Sequence, residues 1–288
     1  MILNFGSINI DLVYRVPHLP TAGETLHSAS FERFLGGKGI NQSIAVAQSG
    51  TAVRHIGCVG SDGDWVKSQI ANFGVALDEI ATVGAATGHA VICVDNAGEN
   101  QIVLASGANQ GFTTAQIDAA ISAATTGDWV ILQNETNLVP TIAAKAKAAG
   151  LNVCYSAAPF DPDAVAEVLP HIDLLAVNEG EAAALEADHG KPATELGVGK
   201  VLVTKGAEGA WFYEGDKSHT QTSFQVTPVD TTGAGDTFLG AFMARLTDSD
   251  APTALRFAAA SAALQVTRAG AAAAIPCRAD VEVFLAHA

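Results

Sequence analysis

One segment of this chain sets glycines directly ahead of a helix-forming run, with a carboxylate beside them. Asp230-Thr231-Thr232-Gly233-Ala234-Gly235-Asp236 leads into Thr237-Phe238-Leu239-Gly240-Ala241-Phe242. A Gly-rich turn at a helix N-terminus exposes unpaired backbone N–H groups, and the helix dipole adds to their field, so the turn is an anion site. Asp236 falls in or near the first turn, where it could act as general base for a hydroxyl attacking a phosphoryl group. Taken alone, Asp236 or Thr237 also reads as an ordinary helix cap. The segment is not G-x-x-x-x-G-K-[ST], so it is no P-loop, and it is not a dinucleotide fingerprint either.

Other segments offer polar groups of the kind that hold a polyhydroxy ligand. Gly36-Gly37-Lys38-Gly39-Ile40-Asn41 also runs from glycines into a helix, and Lys38 and Asn41 are spaced to share a helical face. In Gly6-Ser7-Ile8-Asn9-Ile10-Asp11, an extended backbone points Asn9 and Asp11 to one side, ~7 Å apart. Glu135 follows the apolar run Trp129–Gln133. Asn178 and Glu181 follow Leu174–Val177, where they could organise water and Mg²⁺ or simply form a capping box. Thr204-Lys205-Gly206-Ala207-Glu208-Gly209 fits either a nucleotide edge or a hairpin turn.

These residues need elements that bring them together. Apolar runs at Ile2–Phe5, Ala52–Cys58, Trp129–Gln133, Asn152–Tyr155, Leu174–Val177 and Lys200–Thr204 read as strands. Helical stretches follow several of them, at Asp62–Phe73, Pro140–Ala149, Asp163–Leu169 and Gly180–Ala187. This alternation predicts an α/β fold with a mostly parallel sheet covered on both faces. Ligands of such sheets sit beyond the carboxyl ends of the strands, and the polar sites listed above fall at those ends. Asp11–Phe34 and His89–Leu104 break the rhythm, the second as a hairpin, and together predict a small separate β-sheet. Long Ala-rich helices are expected at Asp236–Leu246 and Pro252–Val266.

Composition removes several classes. The 288 residues, 49% hydrophobic, suffice for one large domain. Thirty acidic against 15 basic residues give a net charge of -15, which disfavours nucleic-acid binding. Such a field also raises the question of what would hold a phosphate. The four cysteines form no C-x-x-C pair and the eight histidines no H-E-x-x-H, against a disulfide framework or a zinc hydrolase. No apolar run approaches a membrane span, and Met1-Ile2-Leu3-Asn4-Phe5 reads as a strand rather than a leader, which points to the cytoplasm.

With these motifs in order, the chain resembles the ribokinase-like (PfkB-type) carbohydrate kinases nearly from end to end. Gly36–Asn41 matches the family's first motif and Asp230–Asp236 its second, while Gly98-Glu99-Asn100 through Ser106-Gly107-Ala108-Asn109 is similar to its lid and lid exit. The resemblance implies a three-layer α/β/α sandwich spanning residues 1–288 as one domain, with lid strands at about 11–35 and 88–105. It implies ATP-dependent phosphorylation of the primary hydroxyl of a pentose, D-ribose first, with another sugar or a nucleoside as the alternative. A catalytically silent sugar binder is a further alternative, opposed by the presence of Asp236 and its glycines.

Carried over by motif, Asp236 is the base and Gly233, Ala234 and Gly235 form the anion hole; Asn9, Asp11, Gly37, Lys38, Asn41 and Glu135 hold the sugar. Asn178, Thr204, Gly206 and Gly209 border the nucleotide, and Glu181 governs Mg²⁺ indirectly. Asp230, Thr232, Arg268 and Gly270 lie where the family holds K⁺, largely through carbonyls. A homodimer through the lid is also implied. The chain departs from the pattern at Ala274 for a cation-ligating Ser, Ala259 for an adenine-lining His or Asn, and Ser156 for an Asn, and it shortens Asp188–Gly199, where the family has an extra helix.

Overall fold

The computed structural model describes all residues, Met1 to Ala288. The strands are β1 (Ile2–Phe5), β2 (Asn9–Arg15), β3 (Ser30–Gly36), β4 (Val53–Val59), β5 (Ile80–Thr82), β6 (Gly88–Val94), β7 (Asn100–Ala105), β8 (Trp129–Gln133), β9 (Asn152–Ser156), β10 (Leu174–Asn178), β11 (Lys200–Thr204), β12 (Ala210–Glu214) and β13 (Lys217–Gln221). The helices are α1 (Lys38–Gln48), α2 (Asp64–Ala71), α3 (Thr114–Ser122), α4 (Val139–Ala148), α5 (Pro162–Val168), α6 (Glu179–His189), α7 (Ala234–Leu246), α8 (Ala251–Val266) and α9 (Arg278–His287).

Nine strands form the main sheet in the order β13-β12-β11-β10-β9-β8-β1-β4-β5. It is parallel from β11 to β5, and β12 and β13 extend it antiparallel. Alternation along β1 shows how the layers form: Leu3 and Phe5 pack with α3 to α6, whereas Ile2 packs with α7 and α8. Both faces are covered, so the central strands are apolar almost throughout. The small residues of α7 and α8, among them Ala241, Ala254, Ala258 and Ala260, let these helices pack closely.

The second sheet has the order β3-β2-β6-β7, with β2 and β6 parallel and the outer pairs antiparallel. Its root is pinned by Ile8, Ile10 and Leu35 against Ile40, Ile44 and Val66 of α1 and α2.

The fold agrees with the expected architecture, and the differences are local. β4 lies one residue later than Ala52–Cys58, and α2 is two residues shorter at each end than Asp62–Phe73, with Gly63 as its N-cap and Asn72 as its C-cap. α6 continues to His189, ended by Gly190 in the left-handed region at φ 70°. β5 and β13 are short or polar and do not stand out in the sequence, whereas α3, with Ile117, Ala120 and Ile121 at helical spacing, and β12, Ala210-Trp211-Phe212-Tyr213, carry a readable pattern that was not singled out from sequence. Between α6 and β11 there is only a 3-10 turn at Ala193–Glu195, so the extra helix is indeed missing.

Candidate active site

The carboxyl ends of the parallel strands and the N-termini of α1 and α7 meet at one rim. Gly233, at φ 79°, turns the chain into α7, and a Cβ there would approach Ala271 Cβ to 3.1 Å. The N–H of Ala234 donates to Thr231 O at 3.2 Å, while those of Gly235 and Asp236 have no backbone acceptor. The helix therefore offers at least two free donors to an anion.

Asp236 sits at these donors, held by two amides of α1. Gln42 Nε2 donates to its Oδ1 at 2.9 Å and Asn41 Nδ2 to its Oδ2 at 3.2 Å. The support continues inward. Gln133 Nε2 donates to Gln42 Oε1 at 2.7 Å and to Asn4 Oδ1 at 2.9 Å. Asn4 Nδ2 donates to Gly39 O and Ser43 Oγ, and Ser43 Oγ lies 2.8 Å from His55 Nδ1. Burial pushes the Asp236 carboxyl up, Glu135 adds to this, and Lys38, Gln42 and Asn41 oppose it, leaving it above the usual carboxylate range.

Lys38 and Glu135 tie this centre to the smaller sheet. Lys38 N donates to Glu135 Oε2 at 3.0 Å, and Ser7 Oγ donates to the same oxygen. Burial pulls the Lys38 ammonium down, but Asp236, Glu135 and Glu181 together outweigh it and hold it above its usual range. Asp11 is raised to about 6, first by burial and then by the negative charge of Glu135. Its carboxylate packs against Gly36, where a Cβ would come within 2.1 Å. Asn9 starts β2 and accepts at Oδ1 from Asn109 Nδ2 at 2.7 Å, and Asn109 Oδ1 accepts from Ile8 N.

Two cavities open at the rim. A polar one of about 170 Å³ is lined by Lys38, Asn178, Glu181, Thr204, Gly233–Gly235 and Asp236, with Ser156 at its wall. A larger, mainly apolar one of about 350 Å³ is lined by Gly206, Gly209, Phe224, Val226, Phe238 and Ala259. They share Thr204, Thr231, Ala234 and Gly235, so the proposed anion turn lies between them. Asn178 and Glu181 form a reciprocal capping box on α6, with Asn178 Oδ1 accepting from Glu181 N and Glu181 Oε2 from Asn178 N. Structural cap and cavity wall are thus the same residues. The chain gathers no cluster of three metal-ligating side chains. That donor set fits Mg²⁺ carried by phosphate oxygens and water rather than by a protein cage.

Most sequence-predicted residues converge here, with two shifts. The Lys38 side chain lines the polar cavity beside Glu181, whereas only its backbone N–H serves Glu135; as the first residue of α1 it carries an N–H with no intrahelical partner. Asn41 spends its Nδ2 on Asp236, leaving Oδ1 buried and unpaired. Ser7, Gln42, Gln133, Asn4 and Asn109 were not singled out from sequence. Their signal is polarity at buried positions, which no local spacing reveals.

Asp230, Thr232 and Gly270 also meet. Asp230 Oδ1 accepts from Thr232 N and Oδ2 from Gly270 N, both at 2.9 Å, and these bonds hold the carboxyl low against the upward push of burial. The Arg268 guanidinium turns away to Asp280 of α9. Gln265 of α8, also not singled out, reaches both loops: its Nε2 lies 2.6 Å from Thr232 O and 3.3 Å from Gly270 O.

Comparison with known proteins bears on the family and the fold. Residues 1–278 match the family model for pfkB family carbohydrate kinases. The chain is 38% identical to ribokinase of Haemophilus influenzae over 299 aligned positions, covering 98% of this chain and 97% of that protein. It is 35% identical to ribokinase of Bacillus subtilis, covering 97% of each. Among solved structures it is similar to ribokinase of Thermotoga maritima (TM-score 0.89, 33% identity, 99% of each chain). It is also similar to Arabidopsis thaliana ribokinase complexed with ribose and ATP (TM-score 0.86, 31% identity, 99% of this chain and 98% of that one). A buried carboxylate beside free helix N–H groups and a two-cavity cleft on this fold stand with a family match over nearly the whole length, and the match leads to one conclusion: the chain belongs to the pfkB family of carbohydrate kinases.

Proposed function

We propose that this protein transfers the γ-phosphoryl group of ATP to the primary hydroxyl of D-ribose, giving D-ribose 5-phosphate and ADP. The observation that carries this reading is the fixed carboxylate of Asp236 at the mouth of the polar cavity, gripped by Asn41 and Gln42 beside free N–H groups of α7.

In this mechanism Asn9, Asp11, Asn41 and Glu135 hold the sugar hydroxyls, with Gly37 allowing close approach to the backbone. Asp236 takes the proton of the attacking hydroxyl as the O–P bond forms, and the anion turn Gly233–Gly235 stabilises charge on the phosphoryl oxygens. One well-placed donor of this kind is worth about 3–4 kcal/mol in the transition state. Lys38 adds the one basic side chain on that cavity. Thr204, Gly206, Gly209 and Asn178 border the nucleotide, whose base takes the larger cavity beside Ala259. Glu181 is the acid that would sit near Mg²⁺, which would supply charge neutralisation on the phosphates.

The smaller sheet is the lid of a single kinase unit. By register, its sugar-facing side carries Val13, Ile92, Ile102 and Leu104 next to Asp11, and Ile102 and Leu104 are 56% and 46% exposed. A second copy of the chain, lid against lid, is the occupant that would cover this apolar face and close the sugar site. No helix is long and apolar enough to cross a membrane, and a cytoplasmic location is part of the same reading.

A coupled ADP-release assay across ribose, other pentoses, hexoses and nucleosides tests the proposal. Ribose should give the highest kcat/KM. A nucleoside outrunning ribose would replace the acceptor, and no ADP with any acceptor would leave a silent sugar binder.

A further inference from the structure

The loops around Asp230 and Gly270 do not suit the cation expected there. A cation leaving water needs a shell of oxygen lone pairs turned toward it, with no N–H donor competing for them. Here both Asp230 oxygens accept backbone N–H groups, Thr232 O and Gly270 O accept the Gln265 amide, and Ala274 offers a methyl where a hydroxyl would complete the set.

Gln265 is fully buried, and its side chain can face the two carbonyls in only one orientation. Nε2 carries two hydrogens and can serve both, whereas a flipped amide would set Oε1 against two other oxygens. Its Oε1 has no partner. A buried oxygen left unpaired is unfavourable, so the position is held by what the nitrogen does. That nitrogen joins the loop entering α7 to the loop leaving α8. Thr232 immediately precedes Gly233, the first residue of the anion turn.

We propose that in this chain the Gln265 carboxamide takes the place of the monovalent cation, tying Thr232 O to Gly270 O and holding the anion turn in shape without K⁺. Gln265 is thus a positioning residue. The inference rests on the kinase reading above, but its test includes a measurement that does not require turnover.

Phosphorylation and thermal melting are compared in KCl and in tetramethylammonium chloride at equal ionic strength, for the wild type, Gln265→Leu and Gln265→Glu. The wild type should show equal rates and equal melting temperatures in the two salts. Gln265→Leu should lose about tenfold in kcat in either salt, as expected for a lost pair of hydrogen bonds. Gln265→Glu replaces the donor by acceptors facing Thr232 O and Gly270 O, so it should be slow in tetramethylammonium and rescued by K⁺. Saturable activation of the wild type by K⁺, or a K⁺-specific rise in its melting temperature, overturns the proposal. So does a Gln265→Glu variant indifferent to the salt. If no acceptor is phosphorylated, the function fails on its own terms and the melting curves still decide the role of Gln265.

Discussion

Gln42 Nε2 and Asp236 Oδ1 lie 2.9 Å apart, so a side chain of α1 aims a carboxylate that belongs to α7. The Gln42 amide is itself fixed, because its oxygen accepts from Gln133 at 2.7 Å. The carboxylate proposed as base is therefore oriented by the interior and not by its own helix alone.

Asp236→Asn keeps the shape and removes the basicity. Turnover should fall by roughly 10²–10⁴-fold, the contribution of a positioned base. Sugar affinity, read by calorimetry, should change little. Near-normal turnover would remove Asp236 from the role.

Gln42→Leu tests the support. It strips one hydrogen bond from Asp236 and leaves a Gln133 donor without its acceptor, at a stability cost of about 1–3 kcal/mol. The Asp236 carboxyl loses a partner that pulls its pKa down, so the acid limb of kcat should move to higher pH. KM for the sugar should hold. A lower melting temperature with an unmoved pH profile would make Gln42 structural only.

Asp11 carries a trade between binding and stability. Its carboxyl is raised to about 6 in the folded state against 3.8 ordinarily. The folded protein thus binds the extra proton between these values, and stability falls as pH rises through that window. Asp11→Asn should melt higher than wild type at pH 7.5, with the gap closing as pH falls below 6. The same substitution should weaken sugar binding at pH 7.5. In the wild type, KM for sugar should climb as pH drops through about 6, because a protonated carboxyl is a poorer acceptor.

His55 acts with the opposite sign. It is buried, and desolvation lowers it from 6.5 to about 3. The unfolded chain takes up this proton first, so stability drops as pH falls below about 6.5, by about 1.4 kcal/mol per pH unit for one group. His55→Gln keeps a polar partner for Ser43 and does not titrate. Urea midpoints at pH 7, 6, 5 and 4 should show the gap between variant and wild type narrowing on the acid side. A constant gap would contradict the buried neutral imidazole.

What the sequence reveals follows from locality. The strands β1, β8 and β11 are bounded correctly because each is an apolar run ended by turn residues. The proposed anion turn stands out because Gly233 and Gly235 flank a single alanine directly ahead of a helix-forming run. Gln42, Gln133 and Gln265 do not stand out: each is a polar residue in an otherwise ordinary helix or strand. Their meaning comes from partners 194, 91 and 33 residues away, respectively. The opening conflict between a charge of -15 and a phosphate ligand dissolves for the same reason. In the proposed mechanism the positive potential comes mainly from backbone N–H groups at the start of α7, which do not enter the charge count, and from Lys38, which contributes one of the 15 basic charges.

Gly37 is the only residue between β3, which belongs to the small sheet, and α1, which grips Asp236. In the proposed mechanism the cover and the base share one crankshaft with a single joint. A shift of that cover reaches the carboxylate within a few residues of chain, with no messenger in between. Stiffening the joint to steady the cover would also retime the proton transfer.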